Sequence, residues 1–187
     1  MRLEVRLAGF GGQGIISAGL MLAVAASIHE NRNAVQTRSY GPESRGGACK
    51  SEVVISDGEI DFPTVIEPDV LVVMSQEAYN SYVDTVKKGG TLLLDSDLVP
   101  KEKVTSHIRV FRVPATKIAE ELEKTLVANV VMLGALTSVT SLVSAKSMRN
   151  SILSTIPKGT EKLNLRAFQR GYDYGKQLLK KKKVSEN

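Results

Sequence analysis

Leu3-Glu4-Val5-Arg6-Leu7-Ala8-Gly9-Phe10-Gly11-Gly12-Gln13-Gly14 stands near the start of this 187-residue chain, and an apolar run over 15–28 follows it directly. A short apolar strand, a glycine turn and an apolar helix form the first unit of a Rossmann-like sheet, and the glycines match the spacing G-x-G-x-x-G. Gly9 permits a tight turn, Gly11 lets the backbone approach a ligand, and Gly14 lets the helix pack closely on the strand. The amides at the start of the helix then form a natural anion site.

The rest of the chain alternates between strand-like and helix-like patterns. Apolar runs predict strands at 34–37, 52–55, 70–74, 91–94 and 109–113, and helical patterns predict helices at 76–87, 116–126, 127–143, 147–154 and 164–180. Asp57-Gly58 is typical of a hairpin and predicts that residues 60–62 pair with the strand before it. We therefore expect an α/β fold, with a Rossmann-like, mostly parallel sheet, a β-hairpin insertion and flanking helices. Asn129 and Asn164 stand where they would cap the helices that follow them.

Length and composition favour one domain. We expect a single domain over 1–179 and a basic, disordered tail over 180–187. The net charge of +5 depends on the four lysines at 180–183, without which 21 basic residues face 20 acidic ones. Aromatic residues make up only 5% of the chain and do not interleave with a basic patch, so the composition is not typical of a nucleic-acid-binding protein.

Cysteine usage indicates the compartment. Cys49 is the single cysteine, so the chain cannot build a disulfide framework or a metal cluster from its own thiols, which fits a reducing compartment. The apolar run over 127–143 contains Asn129 and several hydroxyl residues and is shorter than a membrane span. The start of the sequence shows no secretory leader pattern. These features together predict a cytoplasmic protein.

A nucleotide site needs more than a glycine turn. A Rossmann dinucleotide site places an acidic residue at the end of the second strand, where it binds the ribose hydroxyls. The second predicted strand ends in Gln36-Thr37-Arg38 instead. This argues against an NAD site, whereas Arg38 could bind the 2′-phosphate of NADP. An NADP-dependent Rossmann oxidoreductase therefore stays open as an alternative, as does an interaction module in which the glycines only close the turn.

The second distinctive stretch runs from Thr37 to Cys49 and is rich in glycine and charged residues. It leaves the second strand at the end where open α/β sheets bind ligands. Its candidate functional residues are Arg38, Tyr40, Glu43, Arg45, Gly46 and Gly47. The planar guanidinium of arginine suits a phosphate or a carboxylate. The competing interpretation is a surface turn in which Glu43 pairs with one of the arginines.

The two motifs, at 9–14 and 39–47, together resemble the gamma subunit of the 2-oxoacid:ferredoxin oxidoreductases. Further stretches that carry the resemblance lie at 51–56, 68–72, 129–136 and 164–168, so it covers nearly the whole chain. The form of the motifs is most like the 2-oxoglutarate branch. The pyruvate, 2-oxoisovalerate and indolepyruvate branches stay open as alternatives.

The resemblance implies oxidative decarboxylation of a 2-oxoacid with coenzyme A, which gives an acyl-CoA, carbon dioxide and reduced ferredoxin. It also implies thiamine diphosphate, Mg²⁺ and iron–sulfur clusters. We expect these groups on partner subunits, because the chain has one cysteine and no Gly-Asp-Gly pattern for the magnesium of thiamine diphosphate. The implied partners are alpha, beta and ferredoxin-like subunits, with ferredoxin as the electron acceptor. We expect the chain to be inactive alone and to lack catalytic residues, metal ligands, and nucleic-acid or membrane partners.

The glycine turn and the loop over 40–47 are expected to lie together at a subunit junction or on the coenzyme A path. Arg38 and Arg45 would then hold partner carboxylates or coenzyme A phosphates. The first helix is apolar around most of its circumference, so its second side predicts a contact with another chain. The expected cofactor-binding or junction residues are Gly9, Gly11, Gly12, Gln13, Gly14, Arg38, Tyr40, Glu43, Arg45, Gly46 and Gly47.

Overall fold

The computed structural model describes residues 1–40, 48–103, 106–122 and 124–185, with side chains described as far as residue 181. The strands in this part are β1 (Arg2–Phe10), β2 (Asn33–Tyr40), β3 (Ala48–Ser56), β4 (Val70–Val73), β5 (Thr91–Asp95) and β6 (Arg109–Val113). The α-helices are α1 (Ile15–Glu30), α2 (Gln76–Tyr82), α3 (Ala115–Glu121), α4 (Ala128–Thr140), α5 (Ala145–Thr155) and α6 (Glu161–Ser185). The α/β fold predicted from the sequence is confirmed. Short 3₁₀ turns at Val83–Thr85 and Thr125–Val127 follow α2 and precede α4.

The six strands form one sheet in the order β2-β3-β1-β4-β5-β6. The four strands β1, β4, β5 and β6 run parallel, and β3 runs antiparallel to both β1 and β2. Every residue of β4 and β5 is buried, as expected of continuous apolar strands covered on both faces. The mostly parallel sheet is therefore confirmed, and its antiparallel part is confined to the side that carries β2 and β3.

The predicted position of the hairpin is wrong. β3 pairs with β2, from Asn33 opposite Ser56 to Tyr40 opposite Cys49, and residues 60–62 form no strand. The physical reason is that β3 lies between β1 and β2, so both of its hydrogen-bonding edges are already occupied. Asp57 instead pairs with the terminal ammonium group and with Arg32, and the chain leaves the sheet.

Helices cover the two faces of the sheet unequally. One face carries the main core, in which α1 and the C-terminal helices pack on inward residues such as Val5 and Val53. The other face carries a smaller core around Tyr79 of α2. Within the larger layer, α4 and α6 approach each other so closely that a Cβ added at Gly134 would lie 2.2 Å from the carbonyl oxygen of Phe168. The helix predicted at 127–143 is α4, and it is almost entirely buried, since twelve consecutive residues from 128 to 139 are buried.

Two predicted helix caps are wrong. α6 begins at Glu161, one turn earlier than expected, and Asn164 lies inside it with its Nδ2 donating to the carbonyl oxygen of Thr160. Asn129 lies within α4, whose N-cap is Val127. Asn164 thus makes a local hydrogen bond one turn back, whereas Asn129 makes a tertiary one to Gly14.

Asp95, the last residue of β5, caps the turn that follows it and the start of α3. Its Oδ1 accepts the amide of Asp97, and its Oδ2 accepts both the amide and the hydroxyl of Thr116 at the start of α3. Burial raises the pKa of Asp95, and the hydrogen bonds from Thr116 oppose that shift.

The division into a domain over 1–179 and a tail over 180–187 stays a prediction. Helix α6 continues to Ser185, past the expected boundary, and 186–187 lie outside the described residues. Among the described residues, none of the helices is long and apolar enough to cross a membrane.

Candidate functional site

The glycine turn joins the carboxyl end of β1 to the start of α1. Gly12 and Gly14 have φ angles of 93° and 73°, in the left-handed region that side chains other than glycine rarely adopt. Gly11 and Gly12 are exposed. The turn therefore presents backbone to its surroundings. Gly9, expected to permit the tight turn, lies within β1 instead, and the binding roles expected of the glycines stay predictions.

Two side-chain amides hold the turn in place. Gln13 accepts the amide of Phe10 through Oε1 at 2.7 Å and donates through Nε2 to the carbonyl oxygen of Met74, also at 2.7 Å. Asn129 donates through Nδ2 to the carbonyl oxygen of Gly14 at 3.1 Å. Gln13 thus ties the turn to the end of β4, and Asn129 ties it to α4. This role of Asn129 could not be predicted from local sequence, because Asn129 and Gly14 are 115 positions apart.

The first turn of α1 has unsatisfied backbone donors. The amides of Ile15, Ile16 and Ser17 find no acceptor within the described part of the chain. The N-cap residue Gly14 offers no side chain, and the first turn holds no acidic residue. The helix therefore keeps its partial positive charge at this end, which favours an anion.

A groove of about 410 Å³ lies beside these amides, between the glycine turn and the C-terminal helices. Met21, Val130 and Leu163 contribute apolar surface, and Ser17 and Lys124 contribute polar groups. Leu126 is 74% exposed at this groove. Residues 155–157 and 160 also line it, from the end of α5 and its connection to α6. The local sequence pattern predicted no binding role for that connection.

A second crevice of about 440 Å³ is lined in part by Gln13. β1 and β4 are parallel neighbours, but α1 packs on one face of the sheet and α2 on the other. Open α/β sheets bind ligands at such a switch point. Phe10, Met74, Gln76 and Leu98 are among the residues that line the crevice.

The strand register places the residues that flank the second motif, Tyr40 and Cys49, beside the start of the glycine turn. Tyr40 pairs with Cys49, and Cys49 pairs with Gly9, so the ends of the three strands lie side by side. Arg38 and Tyr40 are exposed there, Tyr40 by 64%. Glu43, Arg45, Gly46 and Gly47 lie outside the described residues. The structure therefore brings Gly9, Arg38 and Tyr40 to one edge, while their binding roles stay predictions.

The outer side of α1 is apolar and exposed. Leu20 is 42% exposed and Ile28 is 71% exposed, whereas Met21 and Leu22 between them are buried. Large apolar side chains in solvent on one helix stripe are typical of an interaction surface.

A buried ion network lies under the sheet, on the face away from α1. Arg6 pairs with Glu52 at 2.7 Å, and its other nitrogens donate to Thr85 Oγ1 and to the carbonyl oxygen of Val65. Lys50 also pairs with Glu52, at 3.1 Å. The Arg6 and Glu52 side chains are only 6% and 7% exposed. With its donors satisfied by protein groups, this network supports the fold around β1 and β3 and is not a ligand site.

Cys49 is buried, and this burial raises the pKa of its thiol. A raised pKa keeps the thiol protonated and unreactive near neutral pH. The described residues contain no group of three or more His, Cys, Asp or Glu side chains that could hold a metal ion.

Comparison with known proteins agrees with this architecture. The family model described as pyruvate ferredoxin/flavodoxin oxidoreductase matches residues 4–174. The chain is 56% identical over 180 residues to the 2-oxoglutarate synthase subunit KorC of Methanocaldococcus jannaschii, covering 95% of this chain and 96% of that relative. It is 29% identical over 182 residues to the pyruvate synthase subunit PorC of the same organism, covering 96% of this chain and 98% of that relative.

A solved structure shows the same fold. The gamma subunit of a keto/oxoacid ferredoxin oxidoreductase from Geobacter sulfurreducens PCA matches with a TM-score of 0.85 and 41% sequence identity. The match covers 94% of this chain and 97% of that one. On the evidence of the matched family model, the relatives and the shared fold, this chain belongs to the pyruvate ferredoxin/flavodoxin oxidoreductase family, among the gamma subunits of the 2-oxoacid:ferredoxin oxidoreductases.

Proposed function

We propose that this chain is the gamma subunit of a 2-oxoglutarate:ferredoxin oxidoreductase. The complex oxidatively decarboxylates 2-oxoglutarate with coenzyme A to succinyl-CoA, carbon dioxide and reduced ferredoxin. One observation carries the choice of substrate. Of two subunits from Methanocaldococcus jannaschii, the 2-oxoglutarate synthase subunit is 56% identical to this chain, whereas the pyruvate synthase subunit is only 29% identical to it. Pyruvate, 2-oxoisovalerate and indolepyruvate are the substrates against which this proposal is tested.

The cofactors of the reaction belong on partner subunits in this proposal. Thiamine diphosphate supplies the carbanion chemistry and iron–sulfur clusters carry the electrons. The donor set of this chain does not fit a cluster, because its single thiol is buried in the core with a raised pKa. The alpha, beta and ferredoxin-like subunits therefore carry these groups. The single cysteine also agrees with a cytoplasmic compartment.

The role of this chain is to border the site that coenzyme A reaches. The unsatisfied amides at Ile15–Ser17 and the exposed Arg38 favour an anion at this edge, either a coenzyme A phosphate or a partner carboxylate. Arg45, in the same sequence motif but outside the described residues, is expected to add a second guanidinium. The exposed apolar stripe of α1 supports a subunit contact beside it.

The position of β2 speaks against the NADP alternative. In a dinucleotide site the second strand runs parallel beside the first, so that its end reaches the ribose. Here β3 separates β2 from β1, and β2 forms the edge of the sheet. The end of β2 therefore does not stand where a ribose or its 2′-phosphate would lie.

Activity of the reconstituted complex tests the proposal. The chain is co-expressed with its alpha, beta and ferredoxin-like subunits, and reduction of ferredoxin is measured with each of the four 2-oxoacids. We expect the highest kcat/KM with 2-oxoglutarate. A higher kcat/KM with pyruvate or another 2-oxoacid would contradict the substrate assignment.

Arginine variants test the site. We expect Arg45→Ala and Arg38→Ala each to raise the apparent KM for coenzyme A or to weaken subunit assembly, because each removes a cation that binds an anion there. Lys88→Ala, an exposed lysine in the turn before β5, is the matched control. Unchanged assembly together with an unchanged KM for coenzyme A would refute the role of the arginines.

A further inference from the structure

Charge is divided unevenly along the chain. Residues 124–187 contain 12 basic and 3 acidic side chains, whereas residues 1–123 contain 13 basic and 17 acidic ones. The basic excess is therefore wider than the lysines at 180–183. It belongs to the segment that forms α4, α5 and α6, and because α4 contains no charged residue, α5 and α6 carry most of it.

The cations of α5 and α6 lie on one surface. Lys162, Arg166 and Lys176 are exposed and share a stripe on the side of α6 opposite its buried glycines, since their spacing follows the helical repeat. Lys146 and Arg149 are exposed on α5. We call these five residues the basic face.

The two helices form one continuous surface. Only residues 156–160 connect them, so they fold back on each other as a helical hairpin. Arg149 of α5 donates to Oε1 of Gln169 in the exposed stripe of α6. Leu153, on the exposed side of α5, is 41% exposed and adds apolar surface among the cations.

Within the described part of the chain, the cations of the basic face have little acidic compensation. Among residues 124–181, only Arg170 forms an ion pair, with Glu121. Asp173 is the one acidic residue on the exposed stripe of α6, and it accepts a hydrogen bond from Gln169. By contrast, Arg2, Arg6, Lys87, Lys103 and Arg112, all outside this segment, are paired with carboxylates.

The helix beneath this face is fixed. Gly134, Gly171 and Gly175 let the backbones of α4 and α6 touch, so α6 cannot roll or shift without a clash. Arg149 also lies over the ring of Phe168 at 5.7 Å, and Lys176 over the ring of Tyr172 at 4.7 Å. The cations therefore stand at defined positions on a rigid platform, which lowers the entropy lost on binding.

We propose that the basic face docks an acidic protein surface of a partner subunit of the complex. Cations without a carboxylate partner, next to an exposed leucine on α5, match the mixed polar and apolar character of a protein interface. No aromatic side chain is exposed in the described part of α5 and α6, which disfavours a nucleic acid. Charge complementarity selects an acidic partner and steers its association. The inference relies on the proposed function only for the existence of partner subunits.

Charge reversal in the assembled complex tests this docking surface. The full chain is co-expressed with its alpha, beta and ferredoxin-like subunits as Lys146→Glu/Arg166→Glu. Lys88→Glu/Lys101→Glu serves as the control, because it makes the same change in net charge at exposed lysines outside α5 and α6. Partner retention and the dissociation constant are measured across a series of NaCl concentrations. Circular dichroism shows whether each variant is folded, and Lys146→Gln/Arg166→Gln provides a milder second variant.

We expect the reversal to weaken partner binding by about tenfold or more at low salt and by less than about threefold at 1 M NaCl, where the Debye length is only about 3 Å. The glutamine variant should lie between it and the wild type. Equal partner retention by the reversal and the control, or a loss that does not change with salt, would overturn the proposal. Loss of binding to a single-stranded RNA with unchanged partner retention would also overturn it, by assigning the face to a nucleic acid.

The two proposals fail separately. If the wild-type complex turns over 2-oxoglutarate and the reversal variant keeps its partners, only the docking surface is refuted. If the wild-type complex prefers another 2-oxoacid but loses a partner on charge reversal, only the substrate assignment is refuted.

Discussion

Gly171→Ala is the substitution that tests the packing of α6 on α4 most directly. A Cβ at position 171 would lie 1.9 Å from the carbonyl oxygen and 2.7 Å from the carbonyl carbon of Val131. Real Cβ atoms essentially never approach another heavy atom within 3.0 Å, and the obstacle here is backbone that cannot rotate away. The two helices must therefore separate by about 1 Å, and such a gap forfeits a quarter to a half of the dispersion energy of the atoms facing it.

Two opposing effects set the magnitude. Alanine is favoured over glycine in a helix interior by about 1 kcal/mol. Overpacking of a close contact costs about 1–3 kcal/mol and occasionally more, and a contact with backbone belongs to the upper end of that range. We therefore expect the free energy of unfolding to fall by about 2 kcal/mol. For a chain of this size that corresponds to a decrease in Tm of about 4–8 °C.

Thermal and urea denaturation, followed by circular dichroism, measure this change. Gly58→Ala is the matched control, because a Cβ there meets nothing within 4 Å, and its effect should stay within about 0.5 kcal/mol. A Gly171→Ala protein as stable as the wild type, or more stable, would show that helix propensity outweighs the contact and would refute the close-packing argument.

Three further predictions follow from the same structure. Glu52→Leu should lower the free energy of unfolding by about 3–5 kcal/mol, because it leaves the buried guanidinium of Arg6 without its carboxylate. In urea denaturation the double variant Arg6→Met/Glu52→Leu should recover most of this loss, and an equal loss in both variants would contradict this explanation. Asn129→Ala should lower the free energy of unfolding by about 1 kcal/mol, because it removes the hydrogen bond to Gly14. Amide hydrogen exchange around the glycine turn should then become faster, and unchanged exchange there would show that Asn129 does not hold the turn. Asp95 has a raised pKa in the folded state, so the folded state binds its proton more tightly and the carboxyl contributes less stability as pH rises through the window above 3.8. In urea denaturation, the wild type should therefore gain stability relative to Asp95→Asn as pH falls through that window, and a difference that does not change with pH would refute the raised pKa.

Local patterns in the sequence predicted much of the fold. The run from Leu3 to Ala8 and the glycines after it predicted β1, the turn and α1, because strand alternation, left-handed turns and helix packing are decided by neighbouring residues. The apolar runs at 70–74 and 91–94 predicted two buried parallel strands for the same reason. Long helices with strong apolar patterns, such as α4, were also predictable.

The failures came from contacts between distant residues. Asp57-Gly58 has the chemistry of a hairpin turn, but the partner of β3 was decided by β1 and β2, which occupy both of its edges. Asn129 has the chemistry of a cap, but the carbonyl oxygen of Gly14 lies within its reach only after α4 packs on α1. Neither competition can be evaluated from a window of neighbouring residues.

The sequence by itself determined the α/β class, the glycine turn and the family resemblance, because these depend on residue types at short, fixed spacings. Only the tertiary structure showed that Tyr40, Cys49 and Gly9 lie side by side, since strand register joins segments that the chain keeps apart. It also assembled the groove beside Gly14 and gathered the cations of α5 and α6 on one face. These features required packing because each is made by residues from different elements, whose proximity depends on how the sheet and helices fit together.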